Sequence, residues 1–181
     1  VILERATALG APTFLIGRYF DVEAHGSSFS QTVSYRSPSL TIENAPLGLN
    51  GRYQAPNAAV AVALAEQLRD TFPRIDDQAI IRGLANAHWP CRLERVLDNP
   101  PVVIDVAHNP AGAAQLAREL DKCVTILAVS SDKDVAGMLA ALRPITRVFV
   151  LSRFAGERDT KTGFTSLYSR SLTGTMVLEK P

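Results

Sequence analysis

Apolar and polar positions follow different rhythms in the two halves of this chain. Residues 13–17 form a short apolar run that reads as a strand. Residues 28–35 alternate loosely, with Phe29, Val33 and Tyr35 among Ser, Gln and Thr. Residues 39–43 alternate again, with Leu40 and Ile42 on one face. Ser37-Pro38 divides these runs, so a hairpin or meander is predicted. Residues 44–51, with Pro46, Gly48 and Gly51, read as a loop. A helix is predicted over 55–70, with Pro56 in its first turn. Its many Ala and Val residues predict close packing on both sides, and Phe72-Pro73 ends it. Asp76 suits the cap of a second helix whose apolar stripe is Ile80, Ile81 and Leu84.

The texture changes near residues 88–90. Residues 93–97 and 102–107 read as strands joined by Asp98-Asn99-Pro100. Asn109 can cap a helix with Pro110 at its first position, and Ala113, Leu116, Ala117 and Leu120 keep helical spacing. Residues 124–129 read as a buried strand, 134–142 as a helix, and 147–151 as another strand. Met176-Val177-Leu178 is a candidate last strand. Strand-helix-strand-helix-strand with short connections predicts an α/β fold with a mainly parallel sheet and right-handed crossovers. The change in texture divides the chain into 1–88 and 89–181.

Composition adds bounds. The chain has 181 residues, 46% hydrophobic and 20% charged, which predicts a folded core rather than disorder. A formal net charge of +1 gives no general attraction to nucleic acid or an acidic membrane. No apolar run approaches the ~20 residues that span a bilayer. Cys91 and Cys123 have neither metal-type spacing nor a disulfide framework. Reduced thiols and a cytoplasmic location are the expectation. The chain begins at Val1, and residues 1–9 read as the body of a helix without signal-peptide features. A piece of a longer protein is expected.

Polar residues gather where the strands of the second half end. The first strand delivers Asp105, His108 and Asn109. The second delivers Ser130, Ser131, Asp132, Lys133 and Asp134; the third delivers Ser152 and Arg153, with Arg158 in reach. Ligands bind at the carboxyl edge of open parallel sheets, so a binding edge is predicted there. Each residue also has a plainer reading. Asp105 suits a bond to the backbone of the next loop, and His108 an exposed loop position. Asp134 suits a helix cap. Arg92 can pair with Glu94, and Asn57 can satisfy the first turn of its helix.

Some chemistry is excluded by the absence of its motif. No G-x-G-x-x-G is present, which argues against a dinucleotide dehydrogenase, and no G-x-x-x-x-G-K-[ST] phosphate loop occurs. His25, His88 and His108 lack close metal-ligand spacing. No serine stands in a nucleophile elbow.

Four elements occur in order and at suitable spacing: Gly51-Arg-Tyr-Gln-Ala-Pro-Asn57-Ala, Trp89-Pro-Cys-Arg92-Leu-Glu94, Asp105-Val-Ala-His108-Asn109-Pro110 and Asp132-Lys133-Asp134. Together they resemble the folylpolyglutamate synthase/dihydrofolate synthase family, relatives of the Mur ligases, over roughly residues 10–158. The D-x-A-H-N-P element with an upstream W-P-x-R is the specific part.

The resemblance implies the end of an α/β P-loop-type ATPase domain (1–88, with a linker helix) followed by a Rossmann-like carboxy-terminal domain (89–181). It implies ATP-dependent joining of L-glutamate to dihydropteroate or folate through an acyl phosphate, with Mg²⁺ held by residues outside this chain. It places Asn57, Arg92 and Asp105 on ATP, His108 near the reacting end as the catalytic residue, and Asp132 and Lys133 on the glutamate side. No metal ligand is implied on this chain. The implied partners are small molecules and the amino-terminal part of the same protein, and the isolated piece is expected to be inactive.

The sequence departs from the pattern at Cys91, where Gly is usual, and at Tyr53, where His is common. It departs again at Val129-Ser130-Ser131, in place of a Gly-containing apolar stretch. The alternatives are a fragment of a Mur-type peptidoglycan ligase and a non-catalytic nucleotide- or amino-acid-binding module.

Overall fold

The computed structural model describes residues 1–130, 132–152 and 175–177. They form two compact units, Val1–Ile104 and Asp105–Pro181.

The first unit opens with α1 (Ile2–Ala8) and continues into an antiparallel meander of β1 (Asp21–Ser27), β2 (Ser30–Arg36) and β3 (Thr41–Leu47), in the order β1-β2-β3. Alternation dictates the central strand: Gln31, Val33 and Tyr35 face inward and the residues between them do not. Two helices follow, α2 (Gln54–Gln67) and α3 (Asp77–Asn86). Ala55, Ala58, Ala59, Val62 and Ala63 of α2 join Phe20, Val33, Tyr35, Leu40, Ile42, Ile80 and Leu84 in one core. Small side chains on that face let backbone approach backbone. Asp76 caps α3 as expected, its carboxylate accepting from the Ala79 N–H at 2.6 Å.

Several expectations are corrected here. Residues 13–17 are no strand: the Leu15 carbonyl accepts from the Arg18 and Tyr19 N–H groups, closing a turn with a single bridge between Ile16 and Phe20. β1 went unread because only Val22 and Ala24 turn partly inward in DVEAHGS. β3 runs to Leu47 through a region expected to be loop. It tolerates Pro46 because it is an edge strand, and a register shift opposite Val33/Tyr35 is accompanied by Asn44 at φ +53°. Among the described residues α2 packs on one side, not on both as its composition predicts. Val60, Leu64 and Leu68 stay 47%, 61% and 46% exposed on its other face.

A carboxylate fastens α2 to the meander. Glu66 Oε1 accepts from Ser37 Oγ at 2.7 Å and Ser39 Oγ at 2.6 Å, and its Oε2 accepts from the buried Tyr35 hydroxyl. Burial first, then the bond and charge of Glu66, push the Tyr35 phenol above its ordinary value near 10. The proton is therefore held more tightly in the folded chain. Its stabilising effect is full below about pH 10 and is lost as the pH climbs through the alkaline range. Glu66→Ala leaves a buried hydroxyl without its acceptor and is expected to cost about 1–3 kcal/mol. Tyr35→Phe is expected to flatten the alkaline fall in stability. Urea unfolding of both variants at neutral and alkaline pH checks each.

The first unit closes with β4 (Glu94–Asp98) and β5 (Pro101–Ile104), an antiparallel pair. Here one further expectation changes. Residues 102–107 were to supply the first strand of the parallel sheet, but β5 stops at Ile104 and its partner is β4. The β4–β5 ribbon lies in the first compact unit, Val1–Ile104. Leu93 is fully buried, Asn50 Nδ2 donates to its carbonyl at 2.9 Å, and the Arg95 guanidinium lies 4.9 Å from the Phe29 ring centre. These contacts hold the β4–β5 ribbon to the first unit.

The second unit contains α4 (Pro110–Glu119), β6 (Cys123–Leu127), α5 (Val135–Leu142), β7 (Thr146–Leu151) and β8 (Thr175–Val177). The strands form a parallel sheet in the order β6-β7-β8. Ala113, Leu127, Val129, Met138, Leu139, Leu142, Ile145, Phe149 and Leu151 make its core. The helical spacing read from the sequence puts Met138, Leu139 and Leu142 on the buried side of α5. No helix among the described residues is long and apolar enough to cross a membrane.

Candidate functional site

In the second unit the turn after β5 carries the opening residues. Asp105 is half-buried, and its Oδ1 accepts from the Ala107 N–H at 2.7 Å, turning the chain sharply away from the strand. His108 is exposed, with Nδ1 at 3.2 Å from the Val106 carbonyl oxygen. In the tautomer that donates from Nδ1, Nε2 is the outward acceptor. Asn109 is extended and caps α4: its Oδ1 accepts from the Gly112 N–H at 2.8 Å, with Pro110 next in line.

The second cluster lies at the start of α5. Asp134 Oδ1 accepts from the Gly137 N–H at 2.8 Å, the cap that its sequence position suggests. Lys133 Nζ pairs with Asp132 Oδ2 at 2.8 Å. Gly137 is the hinge of the arrangement. A Cβ there would stand 2.7 Å from Pro110 Cγ and 2.4 Å from Asp134 Oδ2. The first turns of α4 and α5 therefore touch, which brings the residues around Asn109 and those around Asp134 to one place. Two helix starts side by side favour negative charge. Of the third expected cluster, Ser152 donates its N–H to the Leu127 carbonyl at 2.9 Å. Ser131, Arg153 and Arg158 lie outside the described residues.

Asn57 and Arg92 belong to the first unit. Asn57 stands in the first turn of α2, its Nδ2 donating to Gln54 Oε1 at 2.8 Å. It edges an open cavity of about 410 Å³ between α2 and α3, lined otherwise by Ala, Leu, Ile, Val and Gly residues such as Ala61, Leu84 and Gly83. Arg92 is half-buried on the turn before β4. Two left-handed residues flank it, Cys91 at φ +59° and Leu93 at φ +46°. Cys91 stands where the resembling family has Gly, and it keeps the conformation that Gly adopts without strain. The plainer alternative for Arg92, a pair with Glu94, does not occur among the described ion pairs. Glu94 Oε2 instead accepts from the Cys91 N–H at 2.7 Å, and among the described residues Arg92 has no ion pair. Sequence reasoning gave Glu94 no role of its own, although it stands in the same short motif.

Among the described residues no three His, Cys, Asp or Glu side chains converge to hold a metal ion.

A curated Mycobacterium tuberculosis protein named dihydrofolate synthase/folylpolyglutamate synthase is 43% identical over 120 residues, which is 62% of this chain and 25% of that protein. The solved M. tuberculosis folylpolyglutamate synthase complexed with ADP superposes with a TM-score of 0.84 at 29% identity, over 98% of this chain and 42% of that one. This chain is homologous to part of the folylpolyglutamate/dihydrofolate synthases. An E. coli relative solved with DHPP and ADP gives a TM-score of 0.78 at 28% identity, over 98% of this chain and 41% of that one. No family model matches. The chain spans 12 to 36% of the length of the curated relatives it matches. With these synthases the chain shares a mixed α/β fold containing a parallel sheet.

Proposed function

We propose that this chain is part of an ATP-dependent carbon–nitrogen ligase that joins L-glutamate to dihydropteroate or folate. The carrying observation is the match of nearly the whole chain to a synthase solved with ADP. The relative solved with DHPP and ADP supports the acceptor class. In this reading residues 1–88 complete a central ATPase domain and residues 89–181 are the carboxy-terminal domain.

The chemistry begins with transfer of the γ-phosphoryl group to the acceptor carboxylate, giving an acyl phosphate. The amine of glutamate attacks the acyl carbon, the amide bond forms, and phosphate leaves. Arg92, which has no ion pair among the described residues, supplies positive charge to the phosphates. Asn57 and Asp105 bind the nucleotide, Asp105 through a ribose hydroxyl or a neighbouring basic group. His108, with Nδ1 directed to the Val106 carbonyl, offers Nε2 to the proton that the attacking amine sheds. Lys133 and Asp132 serve the glutamate side.

Glutamate-dependent ATP turnover is the test. In the full-length protein His108→Ala is expected to lower kcat/KM by about a hundredfold, the usual scale of one positioned acid or base. This chain alone is expected to show no turnover, because it carries no phosphate-cradling loop motif. Turnover by the isolated chain, or a near-normal His108→Ala enzyme, refutes the corresponding assignment.

A further inference from the structure

We infer that Glu94 is a positioning residue for Arg92, acting through the backbone rather than as its counter-ion. The inference rests on the reading of Arg92 as a phosphate ligand and adds a residue to that site. A carboxylate two positions from an arginine ordinarily pairs with it. Here the Glu94 side chain turns back, and its Oε2 accepts from the Cys91 N–H at 2.7 Å. That bond spans Arg92 and Leu93, so Arg92 sits inside a small closed turn.

The turn is costly to hold. Cys91 and Leu93 both lie in the left-handed region, at φ +59° and +46°, where residues with a Cβ are strained. Such a shape persists only where its surroundings impose it. Two anchors do so from opposite ends. Glu94 holds the Cys91 N–H, and Asn50 Nδ2 holds the Leu93 carbonyl at 2.9 Å, with the Leu93 side chain fully buried. Arg92 is the residue between the anchors, and among the described residues its guanidinium has no carboxylate partner. Had Glu94 paired with Arg92, an incoming anion would first have to break that pair. By accepting from the backbone, Glu94 fixes the turn and leaves the charge of Arg92 for the ligand.

The two roles for Glu94 predict different results. A counter-ion acts through its charge, so Glu94→Gln and Glu94→Ala would then behave alike. A backbone acceptor acts through its oxygen, which Gln retains and Ala lacks. Steady-state kinetics of glutamate-dependent ATP turnover by the full-length protein separates them. Glu94→Ala is expected to raise KM for ATP about ten- to hundredfold, the scale of an ångström-sized misplacement. Glu94→Gln should stay within about threefold of the parent. Cys91→Gly, which removes the strain at position 91, should recover part of the loss when added to Glu94→Ala. Placed in an Arg92→Ala background, Glu94→Ala should add little, because the residue it positions is gone.

Equal effects of Gln and Ala, or parent-like KM for Glu94→Ala, overturn the inference. If Arg92→Ala itself has parent-like kinetics, the underlying reading of Arg92 fails instead. Should Glu94→Ala fold poorly, Glu94→Gln and the Cys91→Gly/Glu94→Ala pair still decide. A charge role makes the first defective and leaves the second unrescued.

Discussion

Replacing Arg92 with Ala in the full-length protein is expected to lower kcat/KM for ATP about a hundred- to thousandfold. Removing one preorganised donor from a developing negative charge commonly costs about 3–4 kcal/mol, and each ~1.4 kcal/mol is tenfold in rate. The magnitude follows from the state of the side chain before ligand arrives. Among the described residues Arg92 has no ion pair, so its charge is not compensated within them. Arg92→Lys is expected to recover only part of the loss. A lysine keeps the charge but not the planar fork that matches two phosphate oxygens at once. Initial rates over a range of ATP concentration measure both variants. Parent-like values for Arg92→Ala would remove Arg92 from the site.

Gly137 is the second position of large effect. It lies in the first turn of α5, where Ala ordinarily gains about 1 kcal/mol over Gly. Here the added methyl would meet Pro110 Cγ at 2.7 Å and Asp134 Oδ2 at 2.4 Å. The carboxylate can swing aside, but then it leaves the Gly137 N–H that it caps. The proline ring has no such freedom. Overpacking of this kind costs about 1–3 kcal/mol and cap loss about 1 kcal/mol, which together outweigh the propensity gain. Gly137→Ala is therefore expected to destabilise the protein by about 1–3 kcal/mol, and Gly137→Val by more. Gly83 in α3 is the control, since a methyl there meets nothing within 4 Å. Gly83→Ala is expected to stabilise by about 0.5–1 kcal/mol. Chemical denaturation of the two alanine variants, with opposite signs, checks the steric argument.

Much of the fold was legible because local rules and burial agree. Asp76, Asn109 and Asp134 each cap the helix that their position announces. The apolar spacing of α5 and the run of β7 specify one side of a parallel sheet, whereas β6, expected to be a buried strand, leaves Val124 59% and Ile126 72% exposed. Failures came where pairing, not pattern, decides. β1 exists because β2 offers it a partner, although DVEAHGS carries little alternation of its own. The run at 102–107 looks like a central strand, yet a four-residue β5 pairs with β4 through a turn that proline-bearing Asp98-Asn99-Pro100 makes possible. Residues 13–17 are apolar enough for a strand, but among the described residues they pair only through the single bridge between Ile16 and Phe20.

The candidate site was legible as residue types and less so as geometry. The motifs named Arg92, Asp105 and His108, and each lies on a turn rather than inside a regular element. The sequence could not say how Glu94 spends its carboxylate. A side chain two residues from an arginine is within reach of both the guanidinium and the backbone, and only the left-handed turn at Cys91 selects the latter.

The open face of α2 has a practical outcome for anyone handling this polypeptide by itself. Val60, Leu64 and Leu68 recur along the helix at intervals of four residues and stay about half exposed or more. Such a ridge is adhesive in water. With a net charge of only +1, the chain has little colloidal repulsion to set against it. Its purification would be governed by concentration-dependent self-association, and an acidic residue placed at Leu64 is the change that would keep it dispersed.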